Sequence, residues 1–384
     1  MKPISRVVGT VPASGIRKYF DLVSQLSDVV TLGVGEPDFV TPWRIREAAI
    51  YSIEHGYTSY TSNYGIIELR RAIAEKLRQE EGIGYDPATQ ILITVGISEG
   101  MDLTLRAIVN PGDEIIIPEP CFVSYEACTI LAGGTPVTIP TSAATGWRPT
   151  LDQIKNALSD RTKAIILGFP SNPTGVTMPR NELQRIVDVA IAHDLYIISD
   201  EIYAKLIYEE QHTCVPALKG AYDRTIYLNG FSKAYAMTGW RLGYACANAE
   251  IIEAMMKIHQ YTMMCASTMA QMAAIEAIKS GDPDIAEMLE EYTQRRRVIV
   301  EGLNRIGLEC DYPGGAFYAF PSIKSTGLSS EEFADKLLMD QRVLVVPGST
   351  FGECGEGYVR CCYATSIEKI EEALTRMERF LAKG

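Results

Sequence analysis

Between about residue 90 and residue 250, short apolar runs alternate with segments of helical spacing. The runs are short and most of them end near glycine, proline or asparagine, a pattern typical of strands buried on both faces of a parallel sheet. Alternating strands and helices predict a doubly wound α/β fold, because parallel strands need a crossover connection. The predicted strands are residues 91–95, 114–117, 136–139, 164–168, 195–199 and 225–228.

The C-terminal part of the chain has a different order of elements. Predicted strands at 308–312, 316–320 and 343–347 surround a predicted helix, 330–340, and a last strand, 358–363, precedes a last helix, 367–382. This order predicts a smaller α+β domain. The domains are predicted as residues 1–40 (an N-terminal arm and part of the small domain), 41–285 (the large domain) and 286–384 (the small domain).

Composition excludes several classes of function. The chain has 48 acidic and 36 basic residues, a net charge of −12, and no basic block, which argues against nucleic acid or an anionic membrane as a partner. Nine cysteines without a CxxC pair, and four histidines without ligand spacing, predict reduced thiols, a cytoplasmic location and no metal. The N-terminus has no apolar signal segment and no run of about 18 apolar residues occurs, so we expect neither secretion nor a membrane span.

One segment carries the strongest chemical signal. Residues 229–244, NGFSKAYAMTGWRLGY, place Ser232 directly before Lys233 and Arg241 eight positions after it. A lysine desolvated by small and aromatic neighbours can act as a covalent nucleophile, because burial disfavours the ammonium. An arginine nearby can clamp a phosphate, and an amine with a phosphate clamp suggests pyridoxal phosphate. The alternative is a solvated loop lysine and a surface arginine.

Polar residues follow three successive strands of the predicted sheet. Asn172 follows the fourth predicted strand, Asp200 and Tyr203 follow the fifth, and Lys233 follows the sixth. Open α/β sheets bind ligands at the carboxyl ends of their strands, so we expect these side chains to converge. Asn172 could instead only cap its turn, and Tyr203 could only pack.

Three other places on the chain suit a ligand with a phosphate and a planar ring. Gly96, Ile97 and Ser98 join a strand to a helix, and a helix N-terminus offers free N–H groups to an anion. Gly35, in the turn GEPD, would let the backbone approach a ligand. Phe122 or Tyr125, at the start of a predicted helix, could stack on a planar ring, although core packing explains both equally well.

Together these motifs resemble the class I/II aminotransferases, pyridoxal-phosphate-dependent enzymes of fold type I. The resemblance covers nearly the whole chain, and locally the sequence is most similar to the bacterial aspartate, aromatic and diaminopimelate-type enzymes. It implies a large domain whose mostly parallel, seven-stranded sheet is flanked by helices, a smaller α+β domain, and a homodimer with shared active sites. The motifs are GEPDF (35–39), SNPTG (171–175), DEIY (200–203), FSKAYAMTGWRLG (231–243) and GYVRCCYATS (357–366).

The resemblance implies roles around the ring of the cofactor. Lys233 would hold pyridoxal phosphate as a Schiff base and then shuttle the proton of the substrate. Asp200 would keep the pyridine nitrogen protonated, so that the ring accepts electrons. Tyr203 and Asn172 would hydrogen-bond the phenolic oxygen of the ring, and Phe122 would stack on it.

The resemblance also implies a phosphate site. Tyr60 would reach across the dimer interface to the phosphate bound by the partner subunit. The family often has another hydroxyl three positions before the lysine, but Gly230 stands there in this chain, which puts that contact in doubt. The residues implied for the phosphate within one chain are Ser232, Arg241 and the backbone of Ile97 and Ser98.

For the substrate, the resemblance implies that Arg360 clamps the α-carboxylate in a bidentate manner, assisted by Asn172 and the backbone of Gly35. Arg360 could instead pair with a carboxylate of the protein. The side chain of the substrate would meet the N-terminal arm, including Ile16, and loops near Tyr60. Nothing in these segments identifies the amino donor.

The predicted function is transfer of an amino group between an L-amino acid and a 2-oxo acid, in a ping-pong cycle through pyridoxamine phosphate. A C–S lyase similar to cystathionine β-lyase is an alternative on the same scaffold, since it needs the same lysine, aspartate and arginine. A non-enzymatic pyridoxal-phosphate-binding regulator is another. Regulators of this kind carry an added DNA-binding domain. This chain is acidic and has only about 30 residues before the core, which argues against such a domain.

Overall fold

A computed structural model of the chain describes residues 2–12, 15, 18–19 and 26–383. Its strands are β1 (Val30–Thr31), β2 (Ile91–Thr94), β3 (Glu114–Glu119), β4 (Thr135–Pro140), β5 (Thr162–Gly168), β6 (Tyr196–Asp200), β7 (Thr225–Gly230), β8 (Gly243–Cys246), β9 (Tyr318–Ala319), β10 (Val343–Leu344), β11 (Val346–Pro347) and β12 (Val359–Cys362).

The α-helices with described bounds lie on both faces of the main sheet and in the C-terminal part. They are α1 (Arg6–Thr10), α2 (Trp43–Glu54), α3 (Ile67–Glu81), α4 (Gly96–Ile108), α5 (Ser124–Leu131), α6 (Leu151–Asn156), α7 (Arg180–Ala192), α8 (Ala249–Thr262), α9 (Thr268–Ser280), α10 (Asp282–Arg305), α11 (Ser330–Gln341) and α12 (Ile367–Leu381). A membrane span would need a longer and more apolar helix than any of these.

The main sheet has seven strands in the order β2-β8-β7-β6-β5-β3-β4. Strands β3 to β7 pair in parallel, and β8 runs antiparallel to both of its neighbours. The predicted doubly wound, mostly parallel α/β fold is therefore confirmed. The register places Gly168 beside Asp200 and Asp200 beside Leu228, so the carboxyl ends of three strands lie at one edge.

Alternating residues of the central strands enter two different cores. Ile166 and Ile198 pack in the cluster that contains Met255 of α8, whereas the adjacent Ile165 and Ile197 pack in another cluster with α7. Successive strand side chains point to opposite faces, so a strand covered by helices on both sides must be apolar throughout. The double layer of helices explains why the apolar runs are continuous.

The C-terminal part contains a three-stranded antiparallel sheet, β11-β12-β9, and β1 pairs in parallel with β10. Arg360 is the second residue of β12 in this small sheet, and its side chain reaches Asn172, which follows β5 of the main sheet. Helix α10 runs through the predicted domain boundary at residue 285. The domain bounds stay a prediction.

Several element predictions were wrong in detail. The segment 308–312 is not a strand, because the side chain of Asn304 satisfies both the N–H and the carbonyl of Cys310. Thr41 directly before Pro42 predicts the N-cap of a helix, but α2 begins at Trp43 and the Thr41 hydroxyl donates to the carbonyl of Ala236 instead. Strand β8 was missed, since Gly243–Cys246 directly follows the lysine motif without a turn of its own.

Candidate active site

A pocket of about 380 Å³ opens at the edge where β5, β6 and β7 end. The structure brings most of the predicted site residues into it. The predicted residues that line the pocket are Gly35, Ile97, Ser98, Phe122, Asn172, Asp200, Tyr203, Ser232, Lys233, Arg241 and Arg360.

Lys233 lies three residues beyond the end of β7, with its amine facing the pocket. Its Nζ donates a hydrogen bond to the carbonyl of Gly35 at 2.6 Å. Burial lowers its pKa to about 8, and the positive charges of Arg360 and Arg241 add to this effect. A much larger fraction of this amine is neutral near pH 7 than of a solvated lysine, so it is suited to attack a carbonyl.

Asp200 ends β6 on the floor of the pocket. Its Oδ2 accepts a hydrogen bond from the hydroxyl of Tyr125 at 2.9 Å, and its Oδ1 accepts one from the N–H of Ile202 at 3.2 Å. Burial raises the pKa of the Asp200 carboxyl to about 6, although both hydrogen bonds favour the charged form. The carboxylate is therefore held in place and lacks a cationic partner within hydrogen-bonding distance among the described residues.

The contact between Tyr125 and Asp200 was not predicted from the sequence. Tyr125 stands three residues after Phe122, in the first turn of α5, where stacking on a ring or core packing was expected. Its hydroxyl reaches Asp200 because Gly168 has no side chain: a Cβ there would lie 2.4 Å from the tyrosine oxygen. The signal in the sequence was the glycine at the end of β5, whose function becomes visible only in three dimensions.

Arg360 and Asn172 form a second group in the pocket. Nη1 of Arg360 donates to Oδ1 of Asn172 at 2.9 Å, and Nη2 donates to the carbonyl of Gly33 at 2.7 Å. The guanidinium lies over the rings of Tyr318 and Phe351, with centroids 4.6 and 4.9 Å from its central carbon. Its buried Nε lacks a hydrogen-bond partner within the described part of the chain. The arginine is thus held rigidly and retains donor capacity for an anion.

Tyr203 is buried, and its hydroxyl lies 2.7 Å from that of Tyr318. Tyr318 also lies against Gly35, where a Cβ would be 2.6 Å from its hydroxyl oxygen. Tyr318 could not be identified from the sequence, because it stands in the short strand β9, outside the five motifs. It connects Tyr203, Gly35 and Arg360 into one packed wall.

The other end of the pocket is built for an anion. The first turn of α4 begins at Gly96, whose φ of +75° is left-handed. A Cβ at Gly96 would lie 2.8 Å from Nη2 of Arg241, and one at Gly243 would lie 2.8 Å from the carbonyl carbon of Gly96. Two glycines therefore let the helix N-terminus, the β8 backbone and an arginine meet closely, where the partial positive charge of the helix adds to that of the guanidinium.

Gly230, the position of the hydroxyl found in many family members, has a local steric reason. A Cβ there would lie 3.0 Å from Cα of Gly243 across the β7–β8 pair. The close approach of these strands favours glycine. Ser232 lies in the pocket and is the hydroxyl nearest in sequence to the lysine.

Two predicted residues are not placed in the pocket. Tyr60 is 80% exposed and does not line it. Ile16 lies outside the described residues. Residues that line the pocket without a role predicted from the sequence are Val34, Glu36, Met101, Ser124, Pro170, Ile202, Thr238 and Tyr318.

A mostly parallel seven-stranded sheet with a buried lysine, an aspartate and an anion cradle at its carboxyl edge defines a transferase of fold type I. The model of the family "Aminotransferase class I and II" matches residues 27–377. The chain belongs to that family, and it is a pyridoxal-phosphate-dependent aminotransferase.

Relatives agree in sequence and in structure. The chain is 46% identical to an aspartate aminotransferase of Pyrococcus abyssi over 374 residues, 97% of this chain and 96% of the relative. It is 44% identical to aromatic-amino-acid aminotransferase 2 of Thermococcus litoralis, again over 97% and 96%. The structure of aspartate aminotransferase from Thermus thermophilus matches with a TM-score of 0.94 at 37% identity, covering 99% of this chain and 100% of that one. These names favour the aminotransferase over the lyase and regulator alternatives.

Proposed function

We propose that this aminotransferase attaches pyridoxal phosphate to Lys233 and uses the residues of the pocket in the roles that the family resemblance implies. The observation that carries the proposal is the position of the Lys233 amine, whose pKa is lowered to about 8, in the same pocket as Asp200, Arg241 and Arg360. An amine, a carboxylate and two guanidinium groups match the aldehyde, ring nitrogen, phosphate and substrate carboxylate that must be held together.

The residues present fit this cofactor. The cradle formed by Gly96, Ile97, Ser98 and Arg241 would hold the phosphate, since any side chain at Gly96 would displace the arginine. Asp200 would face the ring nitrogen, because it is a buried carboxylate that lacks a cationic partner among the described residues. When bound, pyridoxal phosphate supplies an aldehyde for covalent attachment and a ring that accepts electrons from the α-carbon of the substrate.

The side chains of the protein would bind the substrate and move or hold protons. Arg360, oriented by Asn172 and Gly33, would bind the α-carboxylate and fix the direction of the Cα–H bond. Nζ of Lys233, once released by the substrate amine, would take the proton from the α-carbon of the substrate and deliver it to the cofactor. Asp200 would hold a proton on the ring nitrogen. Asn172 uses Oδ1 for Arg360, which leaves its Nδ2 as the donor for the ring oxygen.

Chemical trapping tests the attachment directly. Borohydride reduction of the loaded enzyme should fix the cofactor on the peptide that contains Lys233, as read by mass spectrometry. Lys233→Ala should abolish both the label and the absorbance of the bound cofactor. Lys205→Ala, which removes a lysine paired with Glu80, is the control and should keep both. A label on another lysine, or none in the wild type, would reject the proposal.

The amino donor is proposed from the lining and tested with a panel. Val34, Met101 and Ile202 give the pocket an apolar side, which favours an aromatic donor over an acidic one. Initial rates with phenylalanine, tyrosine and aspartate, each with 2-oxoglutarate as acceptor, would rank the donors. Conversion of the cofactor by the amino acid alone, without release of pyruvate and ammonia from cysteine or cystathionine, would distinguish transamination from C–S lysis.

We also propose a homodimer in which Tyr60 reaches the phosphate site of the partner subunit. The support is three exposed side chains, Tyr60, Tyr261 and Met264, at 80%, 87% and 49%, on two segments that a hydrogen bond from Asn63 to the carbonyl of Met264 joins. Large exposed apolar patches mark interfaces. Tyr60→Phe should weaken cofactor affinity, whereas Tyr261→Phe should not. A monomer in solution by light scattering would contradict this proposal.

A cytoplasmic location completes the proposal. All nine cysteines are free thiols in the structure, and Cys361 and Cys362 are buried in β12. Free thiols in this number suit a reducing compartment. Thiol titration of the protein purified without reductant should recover nine free groups, and a stable disulfide would argue against this location.

A further inference from the structure

We propose that His259 and Glu99 act as positioning residues for the phosphate cradle, an inference that rests on the proposed cofactor. Glu99 lies in the first turn of α4, directly after the cradle residues Gly96, Ile97 and Ser98. His259 lies in the last turn of α8, which packs against α4. Neither residue lines the pocket, so any effect on the ligand must pass through the cradle.

The pair is buried and closely bonded. The side chain of His259 is fully buried, that of Glu99 is 12% exposed, and Nδ1 of His259 lies 2.7 Å from Oε1 of Glu99. The other carboxylate oxygen, Oε2, accepts a hydrogen bond from the N–H of Val95 at 2.5 Å. Nε2 of His259 is buried without a hydrogen-bond partner among the described residues. Burying a histidine with one nitrogen unsatisfied is costly, so helix packing alone does not explain this residue type.

The two hydrogen bonds decide which backbone donors stay free. Val95 precedes the helix, and its N–H is used by Glu99, whereas the N–H groups of Ile97 and Ser98 face the pocket end of α4 without an intrahelical partner. A carboxylate in the first turn of a helix bends back to bond the N–H of the residue before the helix, as Oε2 of Glu99 does with Val95. His259 occupies Oε1 and keeps the carboxylate turned towards α8. The cradle donors then remain available to a phosphate.

Charge leads to the same conclusion. A carboxylate beside a phosphate-binding helix N-terminus repels the phosphate unless it is turned away or compensated. The Nδ1–H group of His259 turns the carboxylate away by holding Oε1. It also compensates the negative charge, because the positive end of the N–H dipole faces the carboxylate. The carbonyl of His259 also anchors the end of α8, where it accepts from the N–H groups of Met263 and Met264.

The test compares two ligands on the apoenzyme: pyridoxal phosphate, and pyridoxal, which lacks the phosphate. His259→Leu removes the donor, and His259→Gln keeps a polar group but places its amide near the position of Nε2. Both should weaken pyridoxal phosphate binding about tenfold or more, the effect of losing a hydrogen bond to a charged group. Both should leave the dissociation constant of pyridoxal unchanged. His259→Asn, which puts an amide N–H near the position of Nδ1, is the matched control and should stay within about threefold of the wild type.

Inorganic phosphate provides a readout that does not involve Lys233. It should compete with pyridoxal phosphate for wild-type apoenzyme and lose this effect in His259→Leu and His259→Gln. Equal weakening of both ligands, or no weakening in either variant, would overturn the positioning role. If wild-type enzyme failed to take the cofactor on Lys233, the proposed function would fail instead. If the leucine variant did not fold, the glutamine variant would decide.

Discussion

The hydroxyl of Tyr125 lies 2.9 Å from Oδ2 of Asp200, and both groups are buried. Tyr125 comes from the start of α5 and Asp200 from the end of β6, two elements that meet because Gly168 leaves room between them. The hydrogen bond favours the charged carboxylate and opposes the effect of burial, which raises the pKa of Asp200 to about 6. Tyr125 therefore sets how acidic this carboxyl is before any ligand binds.

Tyr125→Phe should raise the pKa of Asp200 further, since it removes a donor from the charged form. The acid side of the pH profile of kcat/KM should then move to higher pH, because Asp200 becomes protonated at less acidic pH. We also expect a loss of about 1 kcal/mol in the free energy of unfolding.

The control is Tyr222→Phe, which removes another bonded hydroxyl, one that donates to the carbonyl of Gly84 at 2.8 Å, outside the pocket. It should lower stability by a similar amount and leave the pH profile in place. An unchanged acid limb in Tyr125→Phe would show that the tyrosine does not tune the carboxyl.

Arg360→Lys should raise KM for the amino donor by roughly 10- to 100-fold, because lysine cannot make a bidentate contact with a carboxylate. The substitution also removes the bonds that hold Asn172 and Gly33. Steady-state kinetics with donor and acceptor varied in turn would measure it. Both half-reactions should be impaired, since amino acids and 2-oxo acids share the α-carboxylate.

Arg297→Lys serves as the control for this substitution. Arg297 pairs with Glu301 on the exposed side of α10, so the change should leave KM within error. A KM rise limited to one of the two substrates would contradict the role of Arg360 as the common carboxylate clamp.

The parts of the site that depend on strand ends could be predicted from the sequence. Asn172, Asp200 and Lys233 follow consecutive strands of a parallel sheet, and topology alone brings such residues to one edge. The seven-stranded sheet also followed from the alternation of elements together with the family resemblance. The contact of Tyr125 with Asp200 and the position of Tyr318 could not be predicted, because they depend on the empty space at Gly168 and Gly35 and on packing between distant segments.

Other differences have equally local causes. The segment 308–312 looked like a strand, but Asn304 satisfies its backbone, so no ladder forms. The segment 343–347 contains two strands that belong to different sheets, since β10 pairs with β1 and β11 with β12. Hydrophobic pattern indicates that such residues are buried and does not specify their partners. The role of Tyr60 depends on a second chain, which no pattern within one sequence describes.

Gly96→Ala should weaken binding of pyridoxal phosphate by about tenfold or more, because the new methyl group would lie 2.8 Å from Nη2 of Arg241 and displace it. The residue also has a φ of +75°, so alanine costs backbone energy as well. Gly82→Ala separates the two effects: its φ is +70° and a Cβ there meets nothing within 4 Å. The control should lose similar stability and keep cofactor affinity. Equal affinity of the two variants for pyridoxal phosphate would show that Arg241 does not help to bind the phosphate.

Asp200→Asn should stabilise the apoenzyme above pH 6 while it abolishes efficient turnover. The folded-state pKa of about 6 lies above the usual 3.8, so the folded protein prefers the protonated carboxyl, and its stability falls as the pH rises from about 4 to 6. The difference in pKa corresponds to a loss of at most roughly 3 kcal/mol of stability, which the neutral amide does not incur.

Urea unfolding of the wild-type and variant apoenzymes at pH 4.5 and pH 8 measures this effect. The difference between their free energies of unfolding should be larger at pH 8. Asp160→Asn, at an exposed position, should give no such difference. If the difference in free energy of unfolding did not change with pH, burial would not destabilise the charged form of Asp200, and this prediction would be wrong.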